Sequence, residues 1–152
     1  MKTLARERDR IEIVERLRTI GPERVPRWGR MSAHQMICHL ADAFRMAIGQ
    51  KPVRRTGRFV DRSVVKWFVL YLPIPWPGGI RTNPEIDQDE GGTRPAEFQA
   101  DRAELEGLLV RITSHPRGFD WQPHPLFGRM SNAAWLRWGY LHTDHHLRQF
   151  GA

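Results

Sequence analysis

The sequence predicts an all-α fold, a bundle of four main helices with one additional short helix, and three observations carry that expectation. Five segments show helical periodicity or a legible helix start. No run alternates apolar and polar residues as a half-buried strand would. Glycine- and proline-rich connections separate the segments and punctuate the helices. At 152 residues the chain is the size of one domain, able to bury roughly 70% of its unfolded surface around a single core. One domain over residues 1–152 is therefore expected.

The first element runs from about Leu4 to Ile20, with a loose stripe of Leu4, Ile11, Val14 and Leu17 between alternating charges, and it stops at "GPERVP". The second, Ser32 to about Ile48, has the clearest start. Ser32 and Gln35 have the spacing of a capping box, and Met31 and Met36 occupy the two positions of a hydrophobic staple. Its apolar stripe is Met36, Leu40, Ala43, Phe44 and Ala47, with His39 at one margin. A short third helix, apolar on all sides, spans roughly Asp61 to Leu72. The connection from Pro73 to Pro95, "PIPWPGGIRTNPEIDQDEGGTRP", is too long for an idle loop in a compact domain. The fourth helix, about Ala96 to Thr113, carries Phe98, Leu105, Leu108, Leu109 and Ile112 on one face. The last runs from Ser131 to about Phe150. It is introduced by "FGRMS" as the second is by "WGRMS", and Met130 with Trp135 repeats the staple.

Composition excludes several classes. With 40% hydrophobic and 27% charged residues the chain is globular rather than disordered. Its longest uncharged run, Trp67 to Ile80, is shorter than a bilayer span and broken by prolines. No apolar stretch precedes the first charges, and a single cysteine makes no internal disulfide, so a cytoplasmic location is the default. The net charge of +7 is concentrated between Lys51 and Lys66. No aromatic is interleaved among its arginines before Phe59, and the stretch from Glu85 to Glu106 is acidic, so a solvated basic face is expected rather than a nucleic-acid interface.

The chain ends in "WLRWGYLHTDHHLRQFGA". At about 100° per residue, His142 and His146 lie roughly 40° apart on one helix face, and His145 about 60° from His142 on the other side. Either partner of His142 can share an ion with it on geometry alone. A catalytic site of zinc type needs a third protein ligand from another element, and His34, His39, His115 and His124 are the candidates. His34 is about 140° from His39, and Cys38 about 100°, so neither serves the same inward face as His39. Taken alone, His39 reads as a boundary histidine satisfied within the core. In the terminal cluster, however, three buried neutral imidazoles side by side would each need a partner, and an ion or a ligand is an economical one.

The combination of "WGRMSAHQMICHLAD", "HPLFG" and "HTDHHLRQFG" resembles the DinB/YfiT-like superfamily of metal-dependent enzymes. It is closest to the subgroup with an HP-FG turn and an H-x-x-H-H-x-x-Q-F ending. The resemblance spans nearly the whole chain. It implies a four-helix bundle in which one histidine of the second helix and an H-x-x-x-H pair of the last hold a divalent ion. On this sequence those residues are His39, His142 and His146. The resemblance also implies thiol-dependent transfer or isomerisation as precedents, using low-molecular-weight thiols.

Three imidazoles with an open coordination position suit zinc or nickel, and such an ion activates water or binds a thiol as thiolate. A small-molecule substrate, with hydrolysis or thiol transfer as the reaction, is the resulting expectation, and a non-catalytic metal-binding bundle is the alternative. A homodimer is left open, and no membrane partner is expected. His124 and His145 are the candidates for acid–base work, since both titrate near neutral pH. Asp42, one turn from His39, reads as a solvent-facing residue, with orientation of His39 as its functional alternative. The long connection is expected to cover the mouth of the site, anchored by Trp76.

Overall fold

The structure, a computed structural model, describes residues 1–55, 62–72, 76 and 82–152. Among them are five α-helices, α1 (Glu7–Arg18), α2 (Ala33–Ala47), α3 (Arg62–Tyr71), α4 (Phe98–Thr113) and α5 (Asn132–Gln149), and one 3-10 turn at Pro84–Ile86. The described residues contain no strand, only an isolated bridge between His124 and Gly128, so the fold is all-α. None of the described helices is long and apolar enough to cross a membrane.

The helix starts follow the sequence closely. The Ser32 hydroxyl accepts a bond from the Gln35 N–H while the Gln35 side chain accepts one from the Ser32 N–H, the reciprocal bonds of a capping box. Ser131 accepts from the Ala134 N–H at the start of α5. Together they satisfy donors that a bare helix end leaves unpaired, a contribution of about 1 kcal/mol per cap. At the head of α4 the Glu97 carboxylate accepts from the N–H groups of Gln99 and Ala100. The five apolar positions expected on α4 are the ones it buries.

Two expectations change. On α1 the buried residues are Asp9, Ile13 and Leu17, and Ile11 is exposed. Leu4 is buried too, but it precedes the helix and docks by its N–H on the Leu136 carbonyl, so it does not set the phase of the stripe. On α2 the expected single stripe is absent. Twelve of its 15 residues are buried, because α4 packs along one side and α5 along another. α5 in turn meets α1 and α3. A helix enclosed in this way is apolar nearly all round, and its few polar residues must find partners inside the protein.

The core is built in two clusters that share α2. Ile13, Leu17, Met36, Leu40, Phe44 and Leu105 are among the residues of the larger one. The smaller gathers Ala43, Met46, Leu70, Phe127, Trp135 and Trp138. Of the long connection, Trp76 packs against this second cluster. Trp76 donates its indole N–H to the Val69 carbonyl at 3.1 Å. The rest of the segment from Pro73 to Arg81, Asp61 at the expected start of the third helix, and the middle of the basic stretch from Thr56 to Asp61 lie outside the described residues. Of that stretch's described cations, Lys51 is ion-paired with Asp42 and Arg54 lies beside Glu85.

Candidate metal centre

Three imidazoles meet where α2 faces α5. The ring centroids of His39, His142 and His146 form a nearly equilateral triangle with sides of 5.1, 4.9 and 4.9 Å. One nitrogen from each lies within 4.8 Å of the others. All three residues are buried, so each ring needs its polar atoms satisfied locally.

The bonds behind the rings fix which nitrogen faces the centre. His39 Nδ1 lies 2.9 Å from the Ile86 carbonyl oxygen. A carbonyl only accepts, so Nδ1 carries the proton and Nε2 presents a lone pair. His146 Nδ1 lies 2.8 Å from Gln149 Oε1. The Gln149 amide nitrogen donates to the Trp28 carbonyl at 2.8 Å, which leaves only its oxygen for His146. His146 is therefore also protonated on Nδ1, with the Nε2 lone pair free. His142 Nε2 stands 3.2 Å from His39 Nε2, and its own Nδ1 is buried without a partner among the described residues. Trp138 covers the His142 ring from one side at 4.7 Å.

Burial is the first cause that holds His39, His142 and His146 below the usual imidazole range, and for His142 and His146 the neighbouring imidazoles add to it. The rings are neutral at physiological pH, the form that binds metals. The donor set fits a divalent ion. A tetrahedral ion with bonds of about 2.0–2.1 Å to nitrogen separates its ligands by roughly 3.3 Å, close to the 3.2 Å between the two Nε2 atoms.

The segment that supplies Ile86 is held by an arrangement that sequence reading missed. Asp42 is fully buried, neither solvent-facing nor bonded to His39. Its carboxylate accepts from Lys51 Nζ at 2.8 Å, Arg45 Nη1 at 3.0 Å, and the N–H and hydroxyl of Thr93 at 2.7 and 2.6 Å. Burial opposes its ionisation, but the bonds from Lys51 and Thr93 outweigh that and hold the carboxyl below its usual range. Asp42 thus clamps the chain just after the turn that carries Ile86. Between them, a Cβ at Gly91 would meet the Pro84 carbonyl at 2.9 Å, and one at Gly92 the Asp87 carbonyl at 2.7 Å, so the glycine pair permits the tight return.

His145 lies outside the triangle, half-buried, with its ring 5.1 Å from His146. Trp28 and Trp76 flank it at 5.9 and 6.2 Å, and Trp76 is also 6.2 Å from His142. The described part of the long connection therefore does reach the site, through Trp76 and Ile86. Burial first, then Arg148, lower the His145 pKa.

His124 is a different kind of residue from the one expected. Its Nδ1 accepts from the N–H groups of Leu126 and Phe127 at 3.1 and 3.3 Å, and its backbone exchanges two 2.8 Å bonds with Gly128. The ring stacks on Phe127 at 4.5 Å and meets Trp138 edge-on at 5.0 Å. Burial pushes its pKa down to about 3. With Nδ1 committed to the turn and the ring this hard to protonate, exchange of a proton near neutral pH does not suit it. His34, set aside for the inward face, lies 2.6 Å from Asp101 on α4.

Sequence reading singled out all three residues of the triangle. It missed the Ile86 carbonyl, the Asp42 clamp and the pairing of His34 with Asp101. The Gln149 bond had a signal, the three-residue spacing from His146.

No curated protein and no solved structure matches the chain. One family model matches it over residues 4–152, nearly its whole length, and on that match the chain belongs to the family described as "Protein of unknown function (DUF1569)".

Proposed function

We propose that this protein is a metal-dependent enzyme that acts on a small molecule, by hydrolysis or by transfer to a low-molecular-weight thiol. In this reading its long helices form a bundle of DinB/YfiT type, and His39, His142 and His146 hold one zinc or nickel ion. The observation that carries the reading is the convergence of three imidazoles, with no acidic ligand atom joining them among the described residues. The Ile86 carbonyl and the Gln149 amide oxygen take up the outward protons of two rings, which leaves lone pairs turned to a common point. The His39 Nε2 lone pair faces His142 Nε2 across 3.2 Å, a gap that either a proton on His142 or a cation bridges.

An ion held by three neutral ligands supplies a Lewis acid with a position left for a water or thiol nucleophile. The chain's own residues do the rest. Trp138 and Trp76 wall the centre and exclude bulk water, which strengthens electrostatic interactions inside. His145, half-buried at the margin between Trp28 and Trp76, is the titratable group placed to exchange a proton with a ligand arriving there. His124 supports the Trp138 wall from behind, as a neutral ring.

The test is metal analysis of protein purified without a histidine tag. One equivalent should depend on the triangle and be lost in the His142→Ala, His146→Ala double variant and in His39→Ala, with a smaller effect from His145→Ala. Retention of that equivalent by the double variant would defeat the assignment. Metal should also be released as the pH falls, because protons compete for the same nitrogens.

A further inference from the structure

On the opposite side of α2 from the triangle a second set of ligand-type side chains comes together. His34 and Cys38 are four residues apart, so they stand about 40° from one another on one helix face, turned roughly 100–140° away from His39. Asp101, in the first turn of α4, meets them from across the α2–α4 contact. Its Oδ2 lies 2.6 Å from His34 Nε2 and 3.7 Å from Cys38 Sγ, and it accepts from the Ala96 N–H at 3.0 Å. One ligand atom from each of the three residues lies within 4.8 Å of the others. Phe98 packs edge-on against the His34 ring at 5.3 Å and holds it in place.

We propose that His34, Cys38 and Asp101 form a second divalent-metal site, of zinc type, independent of the three-histidine centre. Nitrogen, sulfur and carboxylate oxygen are the three donor kinds that zinc accepts together. The charges balance: one thiolate and one carboxylate neutralise the ion, so its partial burial leaves no net charge uncompensated, unlike an ion among three neutral imidazoles. The spacing also fits. In a tetrahedral zinc site a sulfur and an oxygen ligand stand roughly 3.5 Å apart and a nitrogen and an oxygen roughly 3.3 Å. The first is nearly the distance found here, and the second needs His34 and Asp101 to part by less than about an ångström. Cys38 is buried, whereas the His34 and Asp101 side chains are 20% and 19% exposed, which gives an ion an approach from solvent and leaves a fourth position on that side. On binding, the Cys38 thiol proton leaves to solvent, and the proton that His34 Nε2 donates to Asp101 passes through solvent to Nδ1, so that Nε2 presents its lone pair to the ion.

The two sites differ in one readable property. Cys38 is the chain's single cysteine, so only this site offers a thiolate, and a thiolate bound to cobalt(II) or cadmium(II) produces a charge-transfer band in the ultraviolet that imidazoles do not. Reduced, chelator-stripped protein without a tag is titrated with cobalt(II). The band should saturate within two equivalents in the wild-type chain, where both centres take the ion, and at one equivalent in the His142→Ala, His146→Ala double variant; it should weaken at least tenfold in apparent affinity in Asp101→Asn and vanish in Cys38→Ser. Cadmium(II) added to the unaltered chain reads the same thiolate without any substitution, so a variant that fails to fold does not block the test. Absence of a charge-transfer band from the wild-type chain with both ions would overturn the proposal, as would a band that survives Cys38→Ser. A band lost in the double variant but kept in Asp101→Asn would also overturn it, because the thiolate would then report on the three-histidine centre.

Discussion

Replacing His124 with asparagine separates a structural imidazole from a titrating one. In the native turn His124 Nδ1 accepts from two backbone N–H groups, and the asparagine carbonyl oxygen reaches a similar position without the ability to take up a proton. The folded-state pKa of His124 is lowered from 6.5 to about 3 by burial. Below pH 6.5 the unfolded chain therefore binds a proton that the folded chain refuses. The stability that follows from the neutral buried ring is complete above about pH 6.5 and is lost progressively as pH falls towards 3. Each pH unit in that window is worth about 1.4 kcal/mol, so between neutral pH and about pH 5 His124 alone withdraws about 2 kcal/mol. Urea unfolding of metal-free wild type and His124→Asn, in chelator near pH 8 and near pH 5, measures it. His39, His142 and His146 also titrate below their usual range but are common to both proteins, so their contribution cancels in the difference. The variant should start lower near pH 8, having lost ring packing on Phe127 and Trp138, and should then lose about 2 kcal/mol less than wild type on acidification. Equal losses in the two proteins would refute the reasoning, since they would mean that His124 gains its proton as readily in the fold as out of it.

Gly29→Ala places a Cβ 2.6 Å from the Gln149 amide nitrogen at a residue with φ of 79°. It should lower stability by about 1–3 kcal/mol and, by displacing the amide that orients His146, weaken metal binding at the triangle by about tenfold or more; urea unfolding reads the first and calorimetric titration the second, each against Gly21→Ala, which meets nothing within 4 Å. Asp42→Ala removes the only carboxylate shared by Lys51, Arg45 and Thr93 among the described contacts. It should cost about 3–5 kcal/mol in urea unfolding near neutral pH and raise amide exchange around Ile86. Because the Asp42 carboxyl is held below the ordinary aspartate value of 3.8, its contribution is present above that pH and is lost as pH falls further, so Asp42→Asn should flatten the acid limb of the stability curve. Gln149→Ala leaves His146 Nδ1 without its acceptor and should reduce metal affinity by about 10–100-fold while His145→Ala reduces it less, as read by competition with a chromophoric chelator.

What the sequence determined by itself was whatever depends on neighbours within a turn or two. Ser32 with Gln35, and Ser131 at the later start, announce their helices because a cap is a bond between residues three apart. The α4 face was legible because periodicity maps onto burial when a helix packs on one side only. His142 and His146 were legible as a pair for the same local reason, and resemblance rather than spacing selected His146 over His145. The structure alone decided which groups stand behind those rings. His39 leans on a backbone carbonyl 47 residues away and His146 on an amide anchored to a carbonyl 121 residues from it, and a carbonyl leaves no mark in a sequence because every residue has one. It also decided that α2 is enclosed rather than amphipathic, which turns Asp42 from a surface acid into an internal clamp and brings Asp101 to His34 and Cys38. Such pairings follow from how helices dock, and docking is settled by the whole packed core rather than by any local stretch of chain.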